Sequence, residues 1–126
     1  MRLSEAIRLG SMMRPQGFGY FLKDGRTCAF GAAYEAIGVE FNQMGALNPV
    51  FDWAHEVETC CPECEMPEYA AIIVTHLNDF HRWTRERIAD FVATVEPPEE
   101  VASDARQATN VAYRTDASLK VLELQK

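Results

Sequence analysis

The stretch T-C-A-F-G-A-A-Y-E-A-I-G, from Thr27 to Gly38, is the most distinctive part of the chain. Thr27 is of a type that caps helix N-termini, and Gly38 is of the type that follows the last helical residue. Small side chains allow another backbone to approach closely. The stretch therefore predicts a central, buried helix that other elements pack against. Its small residues are Ala29, Gly31, Ala32, Ala33 and Ala36.

Helical patterns are also present on both sides of this stretch. Before it, Leu3 and Ile7 have helical spacing, Ser4 is a candidate N-cap, and Pro15 ends the pattern. After it, Thr84 precedes a run with the spacing of an amphipathic helix. The apolar residues of that run are Ile88, Phe91, Val92 and Val95.

Two less regular segments lie between these helices. A short helix is predicted around Pro49 to Val57, and a longer one from about Pro67, with proline in its first turn. Asp24-Gly25 is a strong turn pair and indicates a short β-hairpin near residues 19–27. The sequence thus predicts a mainly α fold. It is a single compact bundle of four to five helices around the small-residue helix, with one short hairpin.

A domain boundary is predicted at Pro97-Pro98, because two prolines cannot continue a helix. Residues 1–96 form the predicted helical domain. Residues 97–126 form a C-terminal extension whose apolar residues are mostly small, so it is predicted to be a weakly docked helix or a flexible tail.

The charge balance narrows the classes of function. The 126 residues carry a formal net charge of −7, which argues against direct nucleic-acid binding. No run of apolar residues is long enough to cross a membrane, and the N-terminal residues lack the apolar core of a signal peptide. We therefore expect a cytoplasmic protein that does not bind membranes.

The segment E-T-C-C-P-E-C-E-M-P-E, from Glu58 to Glu68, holds three of the four cysteines. Cys61 and Cys64 have the Cys-x2-Cys spacing of a zinc half-site. Cys60 and His55 are the nearby candidates for the remaining ligands. More distant candidates are Cys28, His76 and His81. The competing interpretation is an acidic loop with plain reduced thiols, as expected in a reducing compartment.

Cys28 supports an alternative function, because a cysteine at a helix N-terminus can be an activated nucleophile. A cysteine-dependent hydrolase would use Cys28 with His76 and with Asn78 or Asp79. Against it, His76 and Asn78 are only two residues apart, and no oxyanion donor is identifiable. The alternative role of Cys28 is that of a small buried residue between packed elements.

Three segments resemble short bacterial proteins of unknown function. They are L-S-E-A-I-R-L-G-S-M-M-R-P-Q near the N-terminus, C-A-F-G-A-A-Y-E-A-I-G from Cys28, and H-L-N-D-F-H-R-W-T-R-E-R-I-A-D-F-V from His76. The resemblance covers roughly residues 3–96. It implies a domain that ends near Pro97 and implies no activity.

These observations favour a non-enzymatic protein. We expect a small acidic cytoplasmic module for protein interaction or regulation, with zinc as a candidate stabilising ion and a protein as the partner. A second alternative, beside the hydrolase, is an acidic inhibitor that occupies the basic groove of a nucleic-acid-binding protein.

Overall fold

The computed structural model describes residues 1–39 and 51–98. Contacts divide the chain after Glu96, and every element described here lies in the unit Met1–Glu96. The predicted extension 97–126 lies outside the described residues from position 99 onward. The elements in chain order are α1 (Leu3–Ser11), β1 (Leu22–Lys23), β2 (Arg26–Thr27), α2 (Ala29–Ala36), a 3-10 helix (Asp52–His55), β3 (Glu58–Cys60), β4 (Pro67–Tyr69), α3 (Ala70–Asp79) and α4 (Arg85–Val95).

The mainly α fold class therefore holds for the described residues, with a second short hairpin that the sequence did not predict. The predicted grouping of the helices into one bundle around α2 stays a prediction. Of the helix predicted around Pro49 to Val57, the structure shows the 3-10 helix Asp52–His55, and Pro49 lies outside the described residues.

The small-residue helix α2 begins one residue later than expected. Cys28, and not Thr27, is its N-cap, and the Cys28 sulfur accepts a hydrogen bond from the Gly31 N–H group at 3.4 Å. Thr27 instead ends β2 and is fully buried. Gly38 follows the helix with φ +81°, a conformation that glycine adopts without strain.

Close backbone approach occurs on two sides of α2. A Cβ atom on Gly10 of α1 would lie 1.8 Å from the Ala32 carbonyl oxygen. A Cβ atom on Gly31 would lie 1.9 Å from the carbonyl oxygen of Phe21, which belongs to the segment before β1. Gly10 on α1 thus admits the backbone of α2, and Gly31 on α2 admits the loop before β1.

The predicted hairpin near residues 19–27 is present as β1 and β2, which pair antiparallel with Leu22 opposite Thr27. Its turn is Asp24-Gly25, and both residues have positive φ, 55° and 74°. Two consecutive residues with positive φ are typical of the type I′ turn that matches the twist of a hairpin.

The second hairpin corrects the predicted start of the helix at Pro67. Pro67 pairs with Cys60 in β4, and the helix α3 begins only at Ala70. The Cys61 N–H group donates to the Met66 carbonyl oxygen at 2.8 Å, so the chain turns back directly after the cysteines. The apolar face of α3 lies where the spacing places it: Ala70, Ile73, Val74 and Leu77 are fully buried.

The N-terminal end of α1 contacts the C-terminal end of α4. Ser4 is not the N-cap of α1, because the helix begins at Leu3 and Arg2 is in the cap position. The Glu96 carboxylate, which follows α4, accepts hydrogen bonds from the Ser4 backbone N–H at 3.1 Å and from its hydroxyl at 2.5 Å. Thr84 does cap α4 as predicted, since its Oγ1 accepts from the Arg87 N–H group.

Candidate metal centre

The turn between β3 and β4 arranges the two cysteines of the Cys-x2-Cys pair. Cys61 is buried, and its sulfur accepts hydrogen bonds from the backbone N–H groups of Glu63 and Cys64, each at 3.4 Å. The Glu65 N–H group donates to the Cys61 carbonyl oxygen, and Glu65 has φ +66°. These N–H groups fix the position of the Cys61 sulfur within the turn.

The two histidines come from the end of α3. His76 lies in the last turn of the helix, and His81 follows two residues after its end. The His81 N–H group donates to the His76 carbonyl oxygen at 3.2 Å. The two imidazole rings lie edge to face, with centroids 4.5 Å apart.

Hairpin turn and helix end bring four donor atoms together. The Sγ atom of Cys64 lies 3.3 Å from Nε2 of His76. These two residues form a group with Cys61 and His81, and one donor atom from each of the four lies within 4.8 Å of the others. The ligand atoms of a tetrahedral zinc ion with two sulfurs and two nitrogens are separated by about 3.3–3.8 Å. The group therefore has the composition and nearly the spacing of a four-coordinate site. Its members are Cys61, Cys64, His76 and His81.

Glu63 orients one of these ligands. Nδ1 of His81 lies 3.2 Å from the Glu63 carboxylate, which also accepts a hydrogen bond from Nε1 of Trp83 at 2.6 Å. Nε2 of His81 is buried and makes no hydrogen bond in the described part of the chain. An imidazole that donates from Nδ1 to a carboxylate keeps a free lone pair on Nε2 for a metal ion.

The carboxylate of Glu63 stays ionised more readily than that of an ordinary glutamate. The hydrogen bond from Trp83 lowers its pKa most, and the charge of Arg87 lowers it further. The Arg87 guanidinium lies 3.6 Å from the centroid of the Trp83 ring. A carboxylate behind His81 fixes the orientation of the ring as a metal ligand.

Of the four residues predicted as metal ligands, only Cys61 and Cys64 belong to the group. Cys60 ends β3 as an exposed residue, and His55 is exposed at the end of the 3-10 helix; neither belongs to it.

His76 and His81 complete the group, although the sequence analysis named them only as distant candidates. The pattern that identifies them is Cys-x2-Cys-x11-His-x4-His, which is close to the ligand spacing of Cys2His2 zinc sites.

The residues of the alternative hydrolase site make structural contacts with the backbone. The Cys28 sulfur caps α2, and burial raises the pKa of its thiol. Asn78 is buried, its side-chain oxygen accepts from the Ala29 N–H group, and its NH2 group donates to the Gly17 carbonyl oxygen. No hydrogen bond joins Cys28 to His76 within residues 1–39 and 51–98.

Asp79, the alternative third residue, holds loop backbone in place. Its carboxylate accepts hydrogen bonds from the Gly19 N–H group at 2.9 Å and from the Asn78 side chain at 2.7 Å. Gln16, an upstream amide, also donates to the Asn78 side-chain oxygen. These amide and carboxylate groups fix the segment before β1 against α3, which is a structural task.

Comparison of the chain with protein-family models, with curated proteins and with solved structures finds no match. None of the helices among the described residues is long and apolar enough to cross a membrane.

Proposed function

We propose that this protein is a small cytoplasmic protein-interaction module whose fold is stabilised by a structural zinc ion. The ligands are Cys61, Cys64, His76 and His81. The observation that carries the proposal is the convergence of these four donor atoms, contributed by a hairpin turn and a helix end, within 4.8 Å. All four cysteines are free thiols, which suits a reducing compartment.

The order of elements supports a structural role for the metal. A hairpin with two cysteines in its turn, followed by a helix with two histidines at its end, is how Cys2His2 zinc fingers bind zinc. Four protein ligands complete a tetrahedral shell and leave no position for a reacting water molecule. The zinc therefore contributes folding free energy and not catalysis.

The surroundings do not favour the nucleic-acid contacts that such fingers make. In those proteins, side chains near the start of the helix reach the bases. Here Ala70 and Ala71 begin α3 as buried residues. The segment from Asp52 to Glu68 carries six carboxylates and no Lys or Arg, so it repels a phosphate backbone. A protein partner is the more suitable ligand.

The catalytic alternative has weaker support. A nucleophilic thiol needs a low pKa, and burial raises that of Cys28. His76, the base of the proposed hydrolase, has its Nε2 atom beside the Cys64 sulfur. The two residues thus have separate structural partners.

Elemental analysis and paired variants test the zinc proposal. Protein purified without chelator should contain one zinc ion per chain, and chelation should lower its melting temperature, because zinc that binds only the folded chain adds to the folding free energy. Cys64→Ser and His81→Ala should each abolish stoichiometric zinc. Cys60→Ser and His55→Ala, the matched controls, should retain it.

The reverse pattern would refute the ligand set. If Cys60→Ser or His55→Ala loses zinc while His81→Ala keeps it, the ligands are those nearest in sequence. If none of the preparations contains zinc after refolding with added zinc, the group is a cluster of reduced thiols and imidazoles.

A further inference from the structure

A groove of about 500 Å³ lies beside the metal centre. Helix α2 contributes Phe30 and Tyr34 to its lining, and α3 contributes Ile72, Thr75 and His76. His76 is thus shared between the groove and the metal group. The lining is mainly aliphatic and aromatic, so the groove offers an apolar surface with few polar groups.

Several large apolar side chains at this groove remain exposed. Ile72 is 46% exposed and Phe21, which also lines the groove, is 42% exposed. Phe80 is 71% exposed, and its ring stacks on that of His76 with centroids 5.1 Å apart. Contiguous exposed apolar side chains next to a groove mark a binding surface more often than single ones do.

Negative charge borders the same groove. His55 and Met66, two lining residues, belong to the acidic segment between Asp52 and Glu68. The pKa of Tyr34, another lining residue, is raised by burial and next by the negative charge of Asp52. Asp52 thus lies close enough to act on the lining, and this carboxylate together with the others of the segment that carries His55 and Met66 is called the acidic margin.

We propose that the groove binds an amphipathic helix of a partner protein, with apolar side chains in the groove and Lys or Arg toward the acidic margin. Helices that dock in grooves present apolar residues at positions i, i+3, i+4 and i+7. The proposal rests on the proposed function, because the metal ion that His76 binds holds this wall of the groove in place.

Charge argues for this occupant over the alternatives. A second copy of this chain would bring the same acidic segment and a net charge of −7 against the groove, so like charges would repel. A compact polar molecule would find few partners, because the polar lining side chains are Tyr34, His55, Thr75 and His76. A cationic amphipathic helix can place apolar side chains against the lining and Lys or Arg side chains near the acidic margin.

A synthetic peptide of leucine and lysine, about 14 residues long with leucine at helical spacing, is a direct probe. The peptide is labelled with a fluorophore, and its anisotropy is followed as full-length, zinc-loaded protein is added. We expect saturable micromolar binding that weakens as salt is added. A peptide of the same composition with scrambled order, and one with glutamate in place of lysine, should bind at least tenfold more weakly.

Variants locate the binding surface. Ile72→Glu should weaken peptide binding at least tenfold, although it adds a negative charge that attracts the peptide. Met12→Glu adds the same charge at a residue that is 76% exposed and does not line the groove, so it should bind the peptide as the wild type does. Thr75→Arg is the second groove variant, and it should weaken binding through both bulk and charge.

Other results contradict either this proposal or the metal proposal. If Ile72→Glu, Thr75→Arg and Met12→Glu all bind the peptide with the same affinity, the peptide binds elsewhere on the protein. If the scrambled peptide binds as tightly as the helical one, the attraction depends on charge alone. Self-association that Ile72→Glu abolishes would assign the groove to a second copy. Zinc is measured on the same samples, so zinc-loaded protein without peptide binding refutes this proposal alone, whereas zinc-free protein that binds the peptide refutes the metal proposal.

Discussion

His81 illustrates how individual residues define the metal group. Its Nδ1 faces the Glu63 carboxylate, and its Nε2 is buried without a hydrogen-bond partner in the described part of the chain. A buried polar atom without a partner costs free energy comparable to a lost hydrogen bond. A metal ion at this position removes that cost, so the arrangement is consistent with the proposed zinc ligand set.

Glu63 provides a prediction at this scale. Glu63→Gln should weaken zinc binding about 10–100-fold, because the neutral amide holds the His81 ring less firmly in place. Competition with a chromophoric chelator measures the change in affinity. Glu65→Gln is the control, since Glu65 is a neighbouring exposed carboxylate outside the contacts of His81. Equal affinities of the two variants would exclude an orienting role for Glu63.

Cys28 provides a second prediction. Burial raises the pKa of its thiol, so the folded protein holds this proton more firmly than the unfolded chain does. Iodoacetamide should alkylate Cys28 slowly at neutral pH and faster as the pH rises toward the raised pKa. Cys60 and Cys64 are both exposed, so Cys60 should react first, and Cys64 should react only after chelation if it binds zinc as proposed. Mass spectrometry of peptides follows each site, and Cys28 alkylating as fast as Cys60 at neutral pH would revive the hydrolase.

The sequence predicted half of this group. Only two residues separate Cys61 from Cys64, so their proximity follows from local geometry alone. Eleven residues separate Cys64 from His76, and four more separate His76 from His81, so the position of both histidines depends on where the helix begins and ends. The expected helix began at Pro67, and His76 and His81 were only distant candidates for the remaining ligands. The His-x4-His spacing was present in the sequence, but only the hairpin places it opposite the cysteines.

At the scale of elements, short strands were the hardest feature to predict. Each strand of the second hairpin has three residues, so no alternation of apolar and polar residues can develop. The first hairpin was predictable because Asp24-Gly25 is a specific turn pair. In the second, the Cys-x2-Cys turn has the same role, and proline at position 67 suggested a helix start.

The contact between α1 and α2 gives a prediction at this scale. Gly10→Ala should destabilise the protein by about 1–3 kcal/mol, because the added Cβ atom would lie 1.8 Å from the Ala32 carbonyl oxygen. Gly-to-Ala changes in open helix positions stabilise, so the sign is informative. Ala93→Ser, which adds one atom at an exposed position of α4, should change stability little. Chemical denaturation measures both, and a stabilised Gly10→Ala variant would contradict the close contact.

At the scale of the described unit, Arg85 connects three elements. Its guanidinium is buried and donates to carbonyl oxygens of Ser11, Arg14 and Thr27, which lie at or after the end of α1 and in β2. Burial lowers the pKa of this arginine. Such long-range polar contacts have no pattern in the sequence, because they join residues 58 to 74 positions apart. Apolar spacing predicted the helices, but it could not predict how they are joined.

Glu96 determines where the domain can end. It accepts hydrogen bonds from Ser4, and its carboxylate lies 2.9 Å from the Arg2 guanidinium, so the last residue of the unit closes onto the first turn of α1. A chain that ends at Pro98 keeps these contacts and should unfold cooperatively. A chain that ends at Val95 removes the carboxylate and leaves the Ser4 groups without their acceptor.

The expected loss is about 1–3 kcal/mol or more, the cost of a buried polar group without its partner. Glu96→Ala in the chain ending at Pro98 separates this contact from chain length and should lose a similar amount. Thermal unfolding followed by circular dichroism measures all three proteins. If the chain ending at Val95 is as stable as the one ending at Pro98, the Glu96 contacts contribute nothing. If the chain ending at Pro98 does not unfold cooperatively, residues beyond it are required for folding, and the boundary predicted at Pro97 is wrong.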